Sequence, residues 1–257
     1  MGKGNIFIGT SGWNYSHWGK GVFYPTGLKQ KEWLCYYSQR FTTVEVNSTF
    51  YRLPKETVFE RWARTVPPHF NFVIKVSRYI THIKKLSQPE QALTKFLENV
   101  SLLKKKLALL LFQLPPFLKA HQSHLTHLLD LLKDQSIIPG VRSCFEFRDS
   151  SWLEEETFQL LTRYNAALCF ADWPELKVTE PVTADFIYLR RHGPTSLYNS
   201  GYSSREIKKD AGKIKKWAKE GKDIYVYFNN DAEGWAIKNA LSLLRIVDQT
   251  KIPLSGL

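Results

Sequence analysis

Glu45, Asn47, Lys75, Ser77, Glu146, Arg148, Asp172, Arg190, His192 and Asn229 share one parity of the strand-like segments of this chain. Those segments are TTVEVN at 42–47, NFVIKVS at 71–77, RSCFEFR at 142–148, ALCFADW at 167–173, FIYLRRH at 186–192 and IYVYFNN at 224–230. The other parity is almost wholly apolar, with Val44, Ile74, Phe145, Phe147, Leu189, Val226 and Phe228. Successive side chains of a strand point to opposite faces. The polar groups also fall late in their segments. Parallel strands in register would gather them at one end of a sheet or barrel, where α/β proteins keep their chemistry. Gln113, at the end of 107–113, joins the set.

Polar groups in a partly dry cavity must pair or shift their pKa values. One outcome is a balanced ion-pair network that holds the end of the barrel. The other is a site. In that case the carboxylates Glu45, Glu146 and Asp172, with His192, suit general acid/base work. Arg148, Arg190 and Lys75 would meet an anion. No cofactor is indicated. Carboxylates with His192, and with His82 from the third loop, could hold a divalent metal. One well-placed His without HExxH or HxxEH spacing does not specify one. His121, His124 and His127 step by three and read as a polar helix flank. P-loop, GxSxG and Cys–His patterns are missing from the sequence.

The loop after the first strand, TSGWNYSHWGKGVFYP, is aromatic and glycine-rich. Trp13, with Tyr15, Trp18 and Tyr24, could stack on a base or a sugar, or form a lid packed on the rim. Tyr51 is a second stacking candidate. Near the end of the chain, FNNDAEG precedes a helix, and Asn230 or Asp231 could cap it. Barrel enzymes often bind phosphate there.

Strands and helices must alternate to position these groups. Strands are expected near 5–10, 42–47, 71–77, 107–113, 141–147, 166–172, 185–191 and 223–229. Leu125, Leu128, Leu129 and Leu132 form one helical stripe, and Ala236, Ala240, Leu243, Leu244 and Val247 another. Ser87 with Glu90, Ser151 with Glu154 and Ser203 with Glu206 read as capping boxes. The segment PELKVTEPVTAD leaves the helix between strands six and seven short or missing. Eight βα units without GxGxxG predict an α/β fold, a (β/α)8 TIM-type barrel, as a single domain over residues 1–257.

Lys and Arg outnumber Asp and Glu by 36 to 24, for a formal charge of +12. A basic field favours polyanions. The densest run, at 207–222, reads as the solvated face of a helix. Three cysteines, with no CxxC pair, fit a reducing compartment. With no signal-peptide pattern and no apolar run of membrane length, a cytoplasmic location is expected, with no membrane partner and no obligate protein partner.

IGTSGWNYSHW, FTTVEVNSTFYRLP, FVIKVSRYITHIKKL, LFQLPP, CFEFRDSSW, the aspartate of FADWP, YLRRHGP and YVYFNNDAEG follow one another across nearly the whole chain. In this order they resemble the YecE-like family, domain of unknown function 72. The resemblance implies a TIM-type barrel. The family's motif blocks coincide with Trp13, Glu45, Asn47, Lys75, Gln113, Glu146, Arg148, Asp172, His192, Asn229 and Asn230. The family has been likened to barrel nucleases of the endonuclease-four type, which act at abasic DNA. Those nucleases hold several metals with many His and carboxylate ligands. This chain has too few inward His to follow them, so metal-dependent cleavage is not carried over.

The expected function is binding of a phosphate-bearing ligand, nucleic acid included, at the strand C-terminal ends, with hydrolysis as an open possibility. The alternative is an enzyme acting on a sugar or sugar phosphate by carboxylate acid/base chemistry. A third reading is a non-catalytic binding module whose polar ring is structural.

Overall fold

The computed structural model describes residues 2–173, 176 and 180–248. Eight parallel strands form the sheet: β1 (Ile6–Thr10), β2 (Thr43–Val46), β3 (Asn71–Lys75), β4 (Leu107–Gln113), β5 (Arg142–Glu146), β6 (Ala167–Ala171), β7 (Phe186–Arg191) and β8 (Asp223–Phe228). Their order is β1-β8-β7-β6-β5-β4-β3-β2, and a parallel bridge between Ser11 and Glu45 brings the two ends together. The result is a nearly closed TIM-type barrel.

Helices α1 (Trp33–Ser38), α3 (Glu56–Thr65), α4 (Glu90–Ser101), α5 (Gln122–Asp134), α6 (Glu155–Arg163), α7 (Ser204–Lys219) and α8 (Trp235–Asp248) return the chain between strands, and the one-turn α2 (Ser48–Tyr51) sits in the loop after β2. The expected leucine stripe of α5 is buried in full. The segment between β6 and β7 lies partly outside the described residues, and those described there are not helical.

Strand alternation sorts the core into two layers. Outward residues such as Val44, Ile74, Phe145 and Val226 pack under the helices. Inward residues, among them Val73, Leu111, Cys144, Cys169, Tyr188 and Tyr227, fill the lower barrel. That plug leaves the upper barrel to the polar set.

The β1–β2 seam is sewn by a side chain. The Tyr37 hydroxyl accepts from Thr10 N–H at 3.0 Å and donates to the Thr43 carbonyl at 3.2 Å. Gly9 makes room for it, because a Cβ there would lie 2.4 Å from the Thr43 carbonyl oxygen. Tyr37→Phe leaves a buried donor and acceptor unpaired. We expect it to cost about 1–3 kcal/mol, read by urea unfolding; a loss within the error of the wild type would contradict the seam's role.

The capping boxes divide. Ser203 and Glu206 form one at the start of α7. Ser87 does not cap α4, whose first turn follows Pro89. Ser151 is itself held by Asp149, whose carboxylate accepts from the Ser151 N–H at 3.0 Å and from its hydroxyl at 2.7 Å. Ser151 lies inside a short turn capped by Asp149, and α6 begins only at Glu155, so the serine sits too early to cap it. No described helix is long and apolar enough to cross a membrane.

Candidate functional site

Arg190, near the end of β7, organises the barrel mouth. Its Nε and one Nη donate to the two oxygens of Glu45 at 3.0 and 2.7 Å, and the other Nη donates to Glu146 at 2.5 Å. The Tyr188 hydroxyl adds a bond to Glu45 at 2.6 Å. Arg148 pairs with the second oxygen of Glu146, which His192 Nε2 approaches at 3.3 Å. Burial would push Glu45 up, but Arg190, by charge and hydrogen bond, holds its carboxyl below the usual range. Burial of Glu146 is likewise outweighed by Arg148 and Arg190, which hold it well below that range. Both glutamates are ionised at neutral pH and each is already bonded to arginine.

Burial pushes His192 down to about 4. Asn229 Nδ2 lies 3.2 Å from its Nδ1, and Arg148 Nη2 lies 3.2 Å from its Nε2. The Arg148 guanidinium lies 3.5 Å from the centre of the Trp173 ring, a cation–π contact. Gln113 is buried and donates to the Leu114 carbonyl at 2.5 Å.

Lys75, at the end of β3, differs from its neighbours. Its ammonium lies 3.9 Å from the centre of the Phe50 ring and makes no ion pair among the described residues. Burial, then the charge of Arg190, pull it down to about 7. This has a consequence for stability. Between about 7 and the ordinary 10.5 the unfolded chain holds a proton that the folded chain gives up. Stability from this group is therefore full above that window and is lost as the pH falls through it. Urea unfolding at mildly alkaline pH should give a higher stability than at neutral pH, and Lys75→Met should shrink the difference. An undiminished difference in the variant would sink this reading.

Two expected site residues lie outside the ring. The inward residues of β6 are Ala167, Cys169 and Ala171, so Asp172 takes the outward parity and Trp173 the inward one. Asp172 accepts from the His192 N–H at 2.6 Å and from the Tyr202 hydroxyl, which ties the top of β7 to the segment before α7. Asn230 is likewise outward and fully buried, donating to Ser200 and Asn239 at 2.9 Å each. Neither it nor Asp231 caps the following turn through its side chain. Asp231 instead accepts from the Trp18 indole at 2.7 Å and meets His17 at 2.9 Å, which pins loop one to loop eight. Burial pushes its carboxyl up to about 6. The aromatic first loop is thus divided: Trp18 and Tyr24 are packed away, while Trp13 and Tyr15 line a cavity of about 610 Å³ with Asn47, Tyr51, Lys31 and Arg61.

The rim holds what the strands do not. Tyr51 (72% exposed), Tyr79 (49%) and Phe117 (89%) stand on the loops after β2, β3 and β4. Those three strands are neighbours in the barrel. The loops, 47–55, 76–89 and 114–121, carry Arg52, Lys55, Arg78, Lys84, Lys85 and Lys119 and no Asp or Glu. Phe117 has φ +64°, a left-handed backbone rare for a bulky residue. Tyr79 opens a wide turn in which the Lys84 N–H donates to its carbonyl at 2.9 Å, and Tyr79, Ser77 and Lys84 border a second cavity of about 800 Å³.

The model of the family described as "Protein of unknown function DUF72" matches residues 7–255. The chain belongs to the DUF72 family. It is 25% identical over 283 residues to UPF0759 protein YunF of Bacillus subtilis (strain 168), covering 98% of this chain and 97% of YunF. It is 32% identical over 129 residues to UPF0759 protein YecE of Escherichia coli (strain K12), covering 49% of this chain and 44% of YecE. A solved DUF72 family protein of Thermotoga maritima MSB8 shares the fold with a TM-score of 0.82 at 29% identity, over 95% of this chain and 99% of that one. A second, from Enterococcus faecalis V583, gives a TM-score of 0.80 at 22% identity, over 95% and 96%, a likeness of fold alone.

In this DUF72 barrel no group of three or more His, Cys, Asp or Glu side chains converges as a metal ion would need, among the described residues. His121 and His124 stack on each other at 3.7 Å, and His127 bonds Glu90 at 2.6 Å on an exposed helix flank. His82 lies against Phe50 and bonds Thr81, close enough to Lys75 to feel its charge. The residues that strand periodicity missed are Tyr79, Phe117 and Trp173. The signal present for the first two was charge: acid-free loops with one large exposed ring apiece.

Proposed function

We propose that this DUF72 chain binds single-stranded nucleic acid across the loops that follow β2, β3 and β4. One observation carries the reading: three exposed rings on neighbouring loops that hold six cations and no carboxylate. Exposed aromatic side chains offer stacking platforms to any base, and cations between them track the phosphates. Rings of this kind need open base faces, which a single strand has and a duplex lacks. The adjoining cavities, lined by Trp13, Tyr51, Asn47 and Arg61 on one side and by Tyr79 and Lys84 on the other, give bases room to turn in.

A hydrolytic step by the mouth carboxylates has less support, and so has sugar chemistry by the same pair. Glu45 and Glu146 share Arg190 and are held ionised, so neither has a proton to give.

Fluorescence anisotropy of a labelled single strand and of the matching duplex tests the reading. The single strand should bind tighter. Its log K should fall linearly with log salt, and each removed phosphate contact, as in Arg78→Ser or Lys85→Ser, should lower the slope by about 0.7. Salt-independent binding, or a preference for the duplex, would count against it.

A further inference from the structure

The charged groups of the mouth are spoken for, with one exception. Glu45 is taken by Arg190 and Tyr188, and Glu146 by Arg190 and Arg148. Lys75 is buried beside them and makes neither an ion pair nor a side-chain hydrogen bond among the described residues, yet 8% of its surface remains open. Its place is firm, because the Thr49 hydroxyl donates to its carbonyl at 2.7 Å and the Phe50 ring lies against its amine. Four further side-chain atoms around the mouth are buried without a hydrogen bond: the donor Arg148 Nε, the acceptor Asn47 Oδ1, the Ser11 hydroxyl, and Glu146 Oε1, which is met by Arg148 as an ion pair. A buried amine without a counter-ion, an orphan donor and an orphan acceptor are together the parts of a site for a small oxygen-rich carbonyl compound.

We propose that Lys75 is a nucleophile that condenses with the carbonyl carbon of a small hydroxyaldehyde or hydroxyketone to form an imine. The Nζ lone pair forms the C–N bond and gives a carbinolamine. Both amine protons then leave with the carbonyl oxygen as water, and the C=N bond forms. No oxidant or reductant is consumed. Arg148 Nε would donate to an oxygen of the bound compound and Asn47 Oδ1 would accept from a hydroxyl. The environment supports the chemistry, since the attacking form is the neutral amine. Burial first, then Arg190 and Arg148, favour that form; Glu146 and Glu45 oppose it, and His82 faces the amine from the loop after β3. The inference does not rest on the nucleic-acid reading. It concerns the barrel interior rather than the rim, and its test contains no nucleic acid.

The full chain is incubated with glycolaldehyde or glyceraldehyde and cyanoborohydride, which reduces an imine to a stable secondary amine. The adduct is located by peptide mapping. At neutral pH Lys75 should be modified at least about tenfold faster than any exposed lysine, because an ordinary lysine, with pKa near 10.4, is almost wholly protonated there. Its rate should level off on the alkaline side while the exposed lysines continue to speed up. Lys75→Met, which carries no charge into the buried site, should lose the fast adduct and keep the melting temperature within a few degrees of the wild type. Modification confined to exposed lysines, or a fast adduct that persists in Lys75→Met, would overturn the proposal. The modified position is read in the wild-type chain, so the outcome does not depend on how well a variant folds.

Discussion

Arg190→Met should lower the unfolding free energy by about 3–5 kcal/mol, the usual cost of removing one partner from a buried ion pair. The side chain is 2% exposed and makes three charge-assisted bonds to two carboxylates that are themselves fully buried. Methionine of similar length fills the space but leaves Glu45 without a cation and Glu146 with Arg148 alone. Glu45 must then ionise unpaired or take up a proton. Guanidinium unfolding with an unchanged m value would measure the loss. Adding Glu45→Gln to Arg190→Met should recover part of it, because one uncompensated charge is removed. The wild type carries the same signature in acid. Both glutamates have folded pKa values below their unfolded ones, so their contribution is complete above about 4.5 and is lost as the pH falls through the folded values. A loss under about 1 kcal/mol in Arg190→Met would mean that the mouth network is not what holds the top of the barrel.

The second large effect concerns binding and spares stability. Replacing Tyr51, Tyr79 and Phe117 together by serine should weaken single-strand binding by about 100-fold or more, if each ring stacks one base at about 1–3 kcal/mol. The three side chains are exposed, so the fold should lose little. Phe117 sharpens the contrast. Its backbone is left-handed, where glycine is at ease and phenylalanine is not. Phe117→Gly should therefore stabilise the chain by up to about 1 kcal/mol and still weaken binding. Unchanged affinity in the triple variant would remove the rim from the account.

Strand parity made much of the mouth legible in the sequence. Glu45, Asn47, Lys75, Gln113, Glu146, Arg190, His192 and Asn229 could be assigned to the barrel interior because a period of two fixes a face once the strand is recognised. Asp172 failed where its strand ends: the inward residues of β6 are small and apolar, and the polar residue after Ala171 is outward. Pairing was not legible at all. That Arg190 serves both glutamates while Lys75 serves neither depends on distances across the barrel, and local spacing contains no such distance. The capping boxes show a similar limit. Ser203 and Ser151 have the same spacing to a glutamate, but after Ser151 a turn capped by Asp149 intervenes and α6 begins only at Glu155. The rim was hardest to read, because loops have no period. What marked it was composition: an exposed ring in each loop, with Arg52 and Lys55 in 47–55, Arg78, Lys84 and Lys85 in 76–89, Lys119 in 114–121, and no acid in any of them.

The most direct measurement of the central claim is photo-crosslinking. A single strand carrying 5-iodouracil is bound at near-physiological salt, irradiated, and the attached peptides are mapped. Crosslinks at Tyr51, Tyr79 and Phe117 are predicted. Crosslinks confined to the lysine-rich helix α7, or none above a non-binding control, would contradict the proposal that the loops after β2, β3 and β4 hold nucleic acid.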